Sequence, residues 1–285
     1  MTDHKSRPIV SDPSKVATAP PAMTRVRHDA RIRMLTVRRV ERMAPWMVRI
    51  VLAGRELAGF VSLGFDDHVK LFIPPPGVKQ PILPTMGPHG VVFPDGIERP
   101  AMRDFTPRKF DTHSEELTIE FALHEAGPAT AWASEVRAGD NLGVGGPRGS
   151  MIIPVHLFKR HILIGDETAL PAIARRLEEL PEGVKAQVFA EVEGPGDELK
   201  LTSAADLDVT WAYRQENGHA SPLLEAVRSA DLAANDAYAW AACESSVAKT
   251  LRAHLVRERR FDPMCVKAAG YWRRGSIAIH DIHGE

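Results

Sequence analysis

At 285 residues the chain is longer than one ordinary core fills, so two domains are the starting expectation. Hydrophobic residues at 44% and charged residues at 26% exclude a wholly disordered chain. Lys and Arg number 36 against 37 Asp and Glu, and a formal charge of −1 excludes the global basic footprint of a nucleic-acid-binding protein.

In chain order, residues 1–30 carry four prolines, no apolar periodicity and no signal-peptide core, and are expected to form a flexible tail. Regular structure is expected from Arg31. Ile32–Val40 and Trp46–Leu52 mix β-branched and charged residues in short runs, which predicts two antiparallel strands around a turn at Met43–Pro45. Val69–Ile73 reads as a strand closed by Pro74-Pro75-Pro76. Between Pro74 and Pro107 the chain spends nine of its 22 prolines, which predicts a long functional loop or cover. Leu117–Leu123 and Asn141–Val144 read as strands, with a helix over Pro128–Val136 between them. The first half therefore predicts a small antiparallel β-barrel with one inserted helix.

After Pro154 short apolar strands alternate with helices. Strands are predicted at His161–Ile164, Ala186–Val192, Val209–Tyr213 and Tyr238–Cys243, with a last one at Met264–Ala268. Helices are predicted over Ala169–Leu180, Pro222–Ser229 and Ser245–Arg260. Such alternation predicts a doubly wound parallel sheet, whose ligands sit beyond the carboxyl ends of the strands. That rule gathers 165–168, 191–193 and 243–245 at one crevice. No run of 18 apolar residues offers a membrane span. The widely spaced Cys243 and Cys265 read as free thiols of a reducing, cytoplasmic compartment.

Three segments could carry chemistry. In Arg103-Asp104-Phe105-Thr106-Pro107-Arg108, two guanidinium groups flank an aromatic ring and a hydroxyl. This suits an anionic phosphate and a planar ring as well as it suits a solvated surface strand. On an extended backbone Arg103 and Phe105 share one face, Thr106 and Arg108 the other. Gly127-Pro128 opens a helix whose free amides suit an anion, although Gly-Pro is also ordinary punctuation. Gly165-Asp166-Glu167-Thr168 follows a strand but is no GxGxxG, and its acids would repel a phosphate set against them. Among twelve histidines no zincin spacing or facial triad is found, so no permanent metal is expected.

Taken together, HVKLFIP (68–74), RDFTPR (103–108), HEAGPATAWASEVRAGDNLGVGGPRGS (124–150), GDETALPAI (165–173) and GYWRRG (270–275) resemble the siderophore-interacting protein family. That family comprises flavin-dependent ferric-siderophore reductases of the ferredoxin-reductase-like superfamily, and the resemblance covers residues 31–280. It implies an N-terminal antiparallel β-barrel for FAD over 31–155, and an α/β doubly wound NAD(P)H domain over 156–270. A C-terminal segment, 271–285, would then lie near flavin and substrate.

By the same resemblance Arg103, Phe105, Thr106 and Arg108 would hold the flavin, as would His124, Gly127, Pro128, Ala129 and Trp132. Asp166, Thr168 and Trp272 would serve cofactor contacts, while Lys70, Arg273 and Arg274 would form a basic mouth for an anionic ferric chelate. Phe105 stands where the family usually has Tyr, and Cys243 where it commonly has Gly. The implied activity passes electrons from NADPH or NADH through FAD to siderophore-bound Fe(III), and needs no catalytic acid or nucleophile. Ferredoxin is the alternative electron partner, and a non-catalytic siderophore-binding module the alternative of another class. A monomer with no nucleic-acid partner and no membrane insertion is expected. Arg214, following the Val209–Tyr213 strand, is a candidate for the 2′-phosphate of NADPH.

Overall fold

Period-two burial builds the first domain of the computed structural model, which describes residues 22–87, 90–123, 127–214, 221–275 and 281–283. Its strands are β1 (Thr24–Arg27), β2 (Ile32–Ala44), β3 (Met47–Ala53), β4 (Val69–Ile73), β5 (Thr85–Gly87), β6 (Gly90–Val92), β7 (Ala101–Phe105), β8 (Pro107–Asp111), β9 (Glu116–Ala122), β10 (Asn141–Gly145) and β11 (Gly149–Ile152), and its helix is α1 (Pro128–Glu135). Seven of the strands form an antiparallel sheet in the order β7-β4-β10-β2-β3-β9-β8. The two edge strands of that ladder, β7 and β8, are joined by Thr106 alone. The sheet thus curls back to a seam at that residue, where Pro107 has no N–H to extend the pairing. Leu35, Ile50, Leu71, Ile119 and Leu142 fill the interior, and Ala133 of α1 plugs one side.

The second domain comprises β12 (Arg160–Gly165), α2 (Leu170–Glu179), β13 (Lys185–Val192), β14 (Asp206–Tyr213), α3 (Pro222–Ser229), β15 (Ala237–Glu244), α4 (Ser245–Ala253), β16 (Val266–Trp272) and β17 (Asp281–His283). The order is β14-β13-β12-β15-β16-β17, parallel throughout except for β17. Strand β12 shows why both faces are covered. Leu163 packs with Ile173 and Leu177 of α2, whereas Ile162 and Ile164 pack with Val227 of α3 and Leu251 of α4.

Four expectations are corrected. The first thirty residues are not all irregular: β1 pairs with β11, and Gly149 permits this because a Cβ there would lie 2.5 Å from the Val26 carbonyl oxygen. The proline-rich stretch carries the β5–β6 hairpin and β7. The helix starting at Ser245 is α-helical only to Ala253, and a π-turn over His254–Glu258 completes it. The strand expected at Met264–Ala268 instead runs from Val266 to Trp272, and β17 follows it.

The domains are joined by buried polar groups. Asp66 of the first domain accepts from Trp240 Nε1 at 2.9 Å and pairs with Lys267, both in the second. Arg175 of α2 reaches back to the carbonyl oxygens of Ser62 (2.9 Å) and Pro107 (2.8 Å). Phe65 packs edge-on to Trp240 with centroids 5.5 Å apart, beneath the buried Arg176 guanidinium.

Candidate functional site

The seam collects most of the residues expected to act together. Register places Val69 opposite Phe105, Lys70 opposite Asp104 and Leu71 opposite Arg103. Phe105 lies tilted against Phe121 with centroids 4.4 Å apart, and Phe121 stands 5.7 Å from Trp132 of α1. Helix α1 begins at an extended Gly127 with Pro128 in its first turn. No side chain caps it there, and its first turn holds no acid. A groove of about 510 Å³ follows α1 between Trp132, Pro128, Arg99 and the Pro74–Val78 turn. His124 lies outside the described residues.

A second set comes from the strand ends. A Cβ on Gly165 would stand 2.3 Å from Ala169 Cβ and 2.8 Å from the Ala242 carbonyl oxygen, so only glycine lets the end of β12 lie this close to β15 and to the start of α2. Asp166, buried at that turn, accepts from Thr168 N (3.0 Å), Thr168 Oγ1 (2.5 Å) and Trp272 Nε1 (2.7 Å). Asp166, Thr168 and Trp272 are therefore tied to one another by hydrogen bonds.

A bulge joins the two sets. In the β15–β16 ladder Cys243 faces Gly270 and Glu244 faces Trp272, leaving Tyr271 as the extra residue. The Tyr271 and Thr106 hydroxyls share a hydrogen bond, tying the last parallel strand to the barrel seam. Burial, and then the carboxylates of Asp66, Asp166 and Asp104, push the phenol's pKa up. After the bulge the backbone N–H of Arg274 donates to Glu244, which also caps α4 through Ser246 N and Val247 N.

Three of the expected residues are engaged by carboxylates. Arg108 does not stand with Arg103 at the seam. It is the extra residue of another bulge, between Pro107 and Lys109, and forks onto Glu178 of α2 with its side chain 8% exposed. Lys70 is no open cation: its Nζ lies 2.7 Å from both carboxylate oxygens of Asp104. Arg214 is likewise engaged, to Glu167 through both terminal nitrogens, to Glu191 at 3.1 Å and to Glu193 at 3.3 Å. Burial opposes the Arg214 charge, but the Glu167 hydrogen bonds and neighbouring carboxylates outweigh it and raise the pKa.

The strand ends are thus acidic, with a site chemistry that suits hydroxyl groups better than phosphates. Burial pushes the Glu167 and Glu191 carboxyls up, and it pushes the Cys243 thiol well up, which leaves that sulfur a packed, inert group. Asp104 and Asp66 carry no signal in the sequence that marks them as partners. Only the β4–β7 register and the docking of the domains reveal whom they meet. Among the described residues no three His, Cys, Asp or Glu side chains are grouped to hold a metal, and no helix is long and apolar enough to cross a membrane.

Comparison with known proteins covers both domains. Residues 36–151 match the family described as siderophore-interacting FAD-binding domain, and residues 158–275 match siderophore-interacting protein. The chain is 39% identical to the NADPH-dependent ferric-chelate reductase of Escherichia coli K12 over 87% of its own length and 95% of that protein. It is 31% identical to ferric vibriobactin reductase ViuB of Vibrio cholerae, over 80% of this chain and 84% of the other. A siderophore utilization protein from T. fusca has the same fold at a TM-score of 0.83 with 34% identity, covering 92% of this chain and all of that one (100%).

Proposed function

The chain belongs to the siderophore-interacting protein family, and on that premise we propose that it is an FAD-dependent reductase of ferric siderophores fed by NADPH or NADH. The observation that carries this reading is the meeting of two unlike sites at Tyr271 and Trp272. One is the barrel seam with the α1 N-terminus, whose first turn holds no acid, the other the turn at the strand ends.

The seam fits a flavin dinucleotide. Among the described residues a Cβ added to Gly127 would meet nothing within 4 Å, which leaves room for an anion at the α1 N-terminus, where backbone N–H groups and the helix dipole favour negative charge. Arg103, Thr106 and the backbone of Gly127–Ala129 would hold phosphate and ribityl groups, with Phe105 and Trp132 as aromatic surfaces. The groove beside Pro128 leaves room for the nucleotide end. Phe105 supplies a ring without a phenolic hydroxyl, so stacking is kept and one hydrogen bond is not. FAD held there would supply the conversion of two-electron hydride chemistry into single-electron steps. Reduction releases iron because hard siderophore oxygens hold Fe(II) far less well than Fe(III).

This chain's own part is placement. Thr106 and Asp166 fix Tyr271 and Trp272 over the junction, which excludes water there. Asp166, Glu167 and Glu191 offer acceptors to ribose hydroxyls, and with Arg214 engaged by three glutamates NADH should be used as well as NADPH. With thiols that stay free, we place the reaction in the cytoplasm. The protein acts as a monomer on a ferric siderophore, with ferredoxin as the alternative donor.

The test is the visible spectrum of the purified protein under anaerobic conditions. Flavin absorption that bleaches with NADPH or NADH and returns on adding a ferric siderophore is the expected result. Bound flavin that ignores both nucleotides would transfer the role of donor to ferredoxin, and a protein that cannot be loaded with FAD would be a binding module. Trp272→Phe removes the indole donor to Asp166. A hydrogen bond to a charged acceptor contributes about 1.5–3 kcal/mol, so loosening this cover should lower the nucleotide KM by about ten-fold. An unchanged KM would show that Trp272 does not gate the nucleotide.

A further inference from the structure

We propose that Asp104 sets which ferric chelates this protein reduces, by neutralising Lys70 at the mouth of the cleft and biasing the site against highly anionic complexes. The inference rests on the reductase reading and concerns a residue outside the expected set of binding groups.

Cross-strand register puts Asp104 directly opposite Lys70, and the ammonium lies 2.7 Å from each carboxylate oxygen. The pair stands at the working end of β7. Asp104 is two residues from Thr106, and its charge reaches the Tyr271 phenol. Its side chain is 20% exposed against 42% for Lys70, so the carboxylate is the anchored partner and the lysine the mobile one. Neither chain neighbour competes for it. Arg103 donates to the Met102 carbonyl oxygen at 2.8 Å, and Phe105 packs on Phe121.

An arriving chelate therefore meets a dipole, not a bare cation. To use Lys70 it must draw the ammonium from Asp104 and then face the carboxylate left behind. The cost depends on the charge it brings. Three hydroxamates cancel the charge of Fe(III), whereas three catecholates leave a trianion. In water at about 8 Å, removing one negative charge should improve the encounter of a trianion about ten-fold and leave a neutral complex almost unaffected. The structure assigns this protein to chelates of low net negative charge, the uncharged tris-hydroxamates among them.

The experiment compares kcat/KM for a neutral ferric tris-hydroxamate and a ferric tris-catecholate trianion, using the FAD-loaded full chain with saturating NADPH at low and high salt. Asp104→Asn should raise the value for the trianion about ten-fold at low salt, less at high salt, and change the neutral chelate less than two-fold. Lys70→Gln, which leaves Asp104 unpaired, should lower the trianion's value selectively. Binding of the redox-inert Ga(III) complexes of both ligands, followed by tryptophan fluorescence, should show the same shift in ratio without turnover. Equal changes for the two chelates in both assays, or an unaltered ratio, would overturn the role given to Asp104. A parent protein that turns over neither chelate would overturn the reductase reading, and the Ga(III) ratio would still decide the role of Asp104.

Discussion

Between pH 6.5 and about 3 this protein is expected to lose about 5 kcal/mol of folding stability through His161 alone. The ring is wholly buried on β12, edge-on to Phe158 at 6.3 Å and near Tyr238 at 6.1 Å. Among the described residues neither ring nitrogen has a hydrogen-bond partner. Burial, helped by the nearby Arg176 charge, pushes its pKa down to about 3. In the unfolded chain the same ring titrates near 6.5. The native state therefore binds the fewer protons across that interval, and stability falls as pH falls through it, by about 1.4 kcal/mol per pH unit.

His161→Leu removes the group and fills the same apolar space. Replacing an unpartnered polar side chain by an apolar one of similar size is nearly neutral or stabilising. The variant should match or exceed the parent at pH 8 and exceed it by about 2 kcal/mol at pH 5. Chemical unfolding at several pH values would check this. Parallel stability curves for the two proteins would mean that the ring is not held neutral in the fold. Comparing parent with variant isolates His161 from carboxylates such as Glu178, which Arg108 hydrogen bonds hold below the usual range and which adds its own acid sensitivity below about pH 4.5.

Gly270→Ala is expected to cost about 3 kcal/mol and to disable nucleotide oxidation while the barrel still takes up flavin. A Cβ on Gly270 would lie 2.1 Å from Ser245 Oγ and 2.8 Å from Ser245 Cα, at the first residue of α4. The hydroxyl can rotate away, but the helix backbone cannot, so strand and helix must part. Gly270 immediately precedes the Tyr271 bulge, and a shift there misplaces both the Thr106 contact and the Trp272–Asp166 bond. Displacement by about 1 Å near reacting groups can cost about a hundred-fold in rate. We expect a fall of that order in kcat/KM for the nucleotide, read by stopped-flow reduction, alongside a lowered unfolding midpoint. The double variant Gly270→Ala/Ser245→Gly should recover part of the stability. Full activity in the single variant would mean that the bulge does not depend on close packing of α4.

Much of the fold was readable residue by residue. Ile32–Val40, Val69–Ile73 and Ala186–Val192 announce strands because β-branched and apolar side chains recur where a pleated surface buries them. The 3.6-residue spacing of Leu170, Ile173 and Leu177 announces α2. Thr24–Arg27 gave no such signal. It is short, polar and largely exposed, and it is a strand only because β11 supplies its hydrogen bonds. The π-turn at His254 was equally silent, since apolar spacing alone cannot distinguish one extra residue in a helical turn from an unbroken helix.

Linear order and residue chemistry were enough to specify the fold class and the family. These depend on local periodicity and on motifs a few residues long. Partnership was decided only by tertiary structure. Lys70 meets Asp104, 34 residues away in sequence, across the β4–β7 ladder, Arg108 meets Glu178 across the domain junction, and Arg214 meets three glutamates from two other strand ends. Each was a plausible free cation in the sequence, and each is neutralised in the fold. A charge left near low-dielectric protein without a partner is costly, so folding brings carboxylates to it. Which carboxylate arrives is fixed by register, by bulges and by how the domains dock, none of which is encoded in any short stretch of chain.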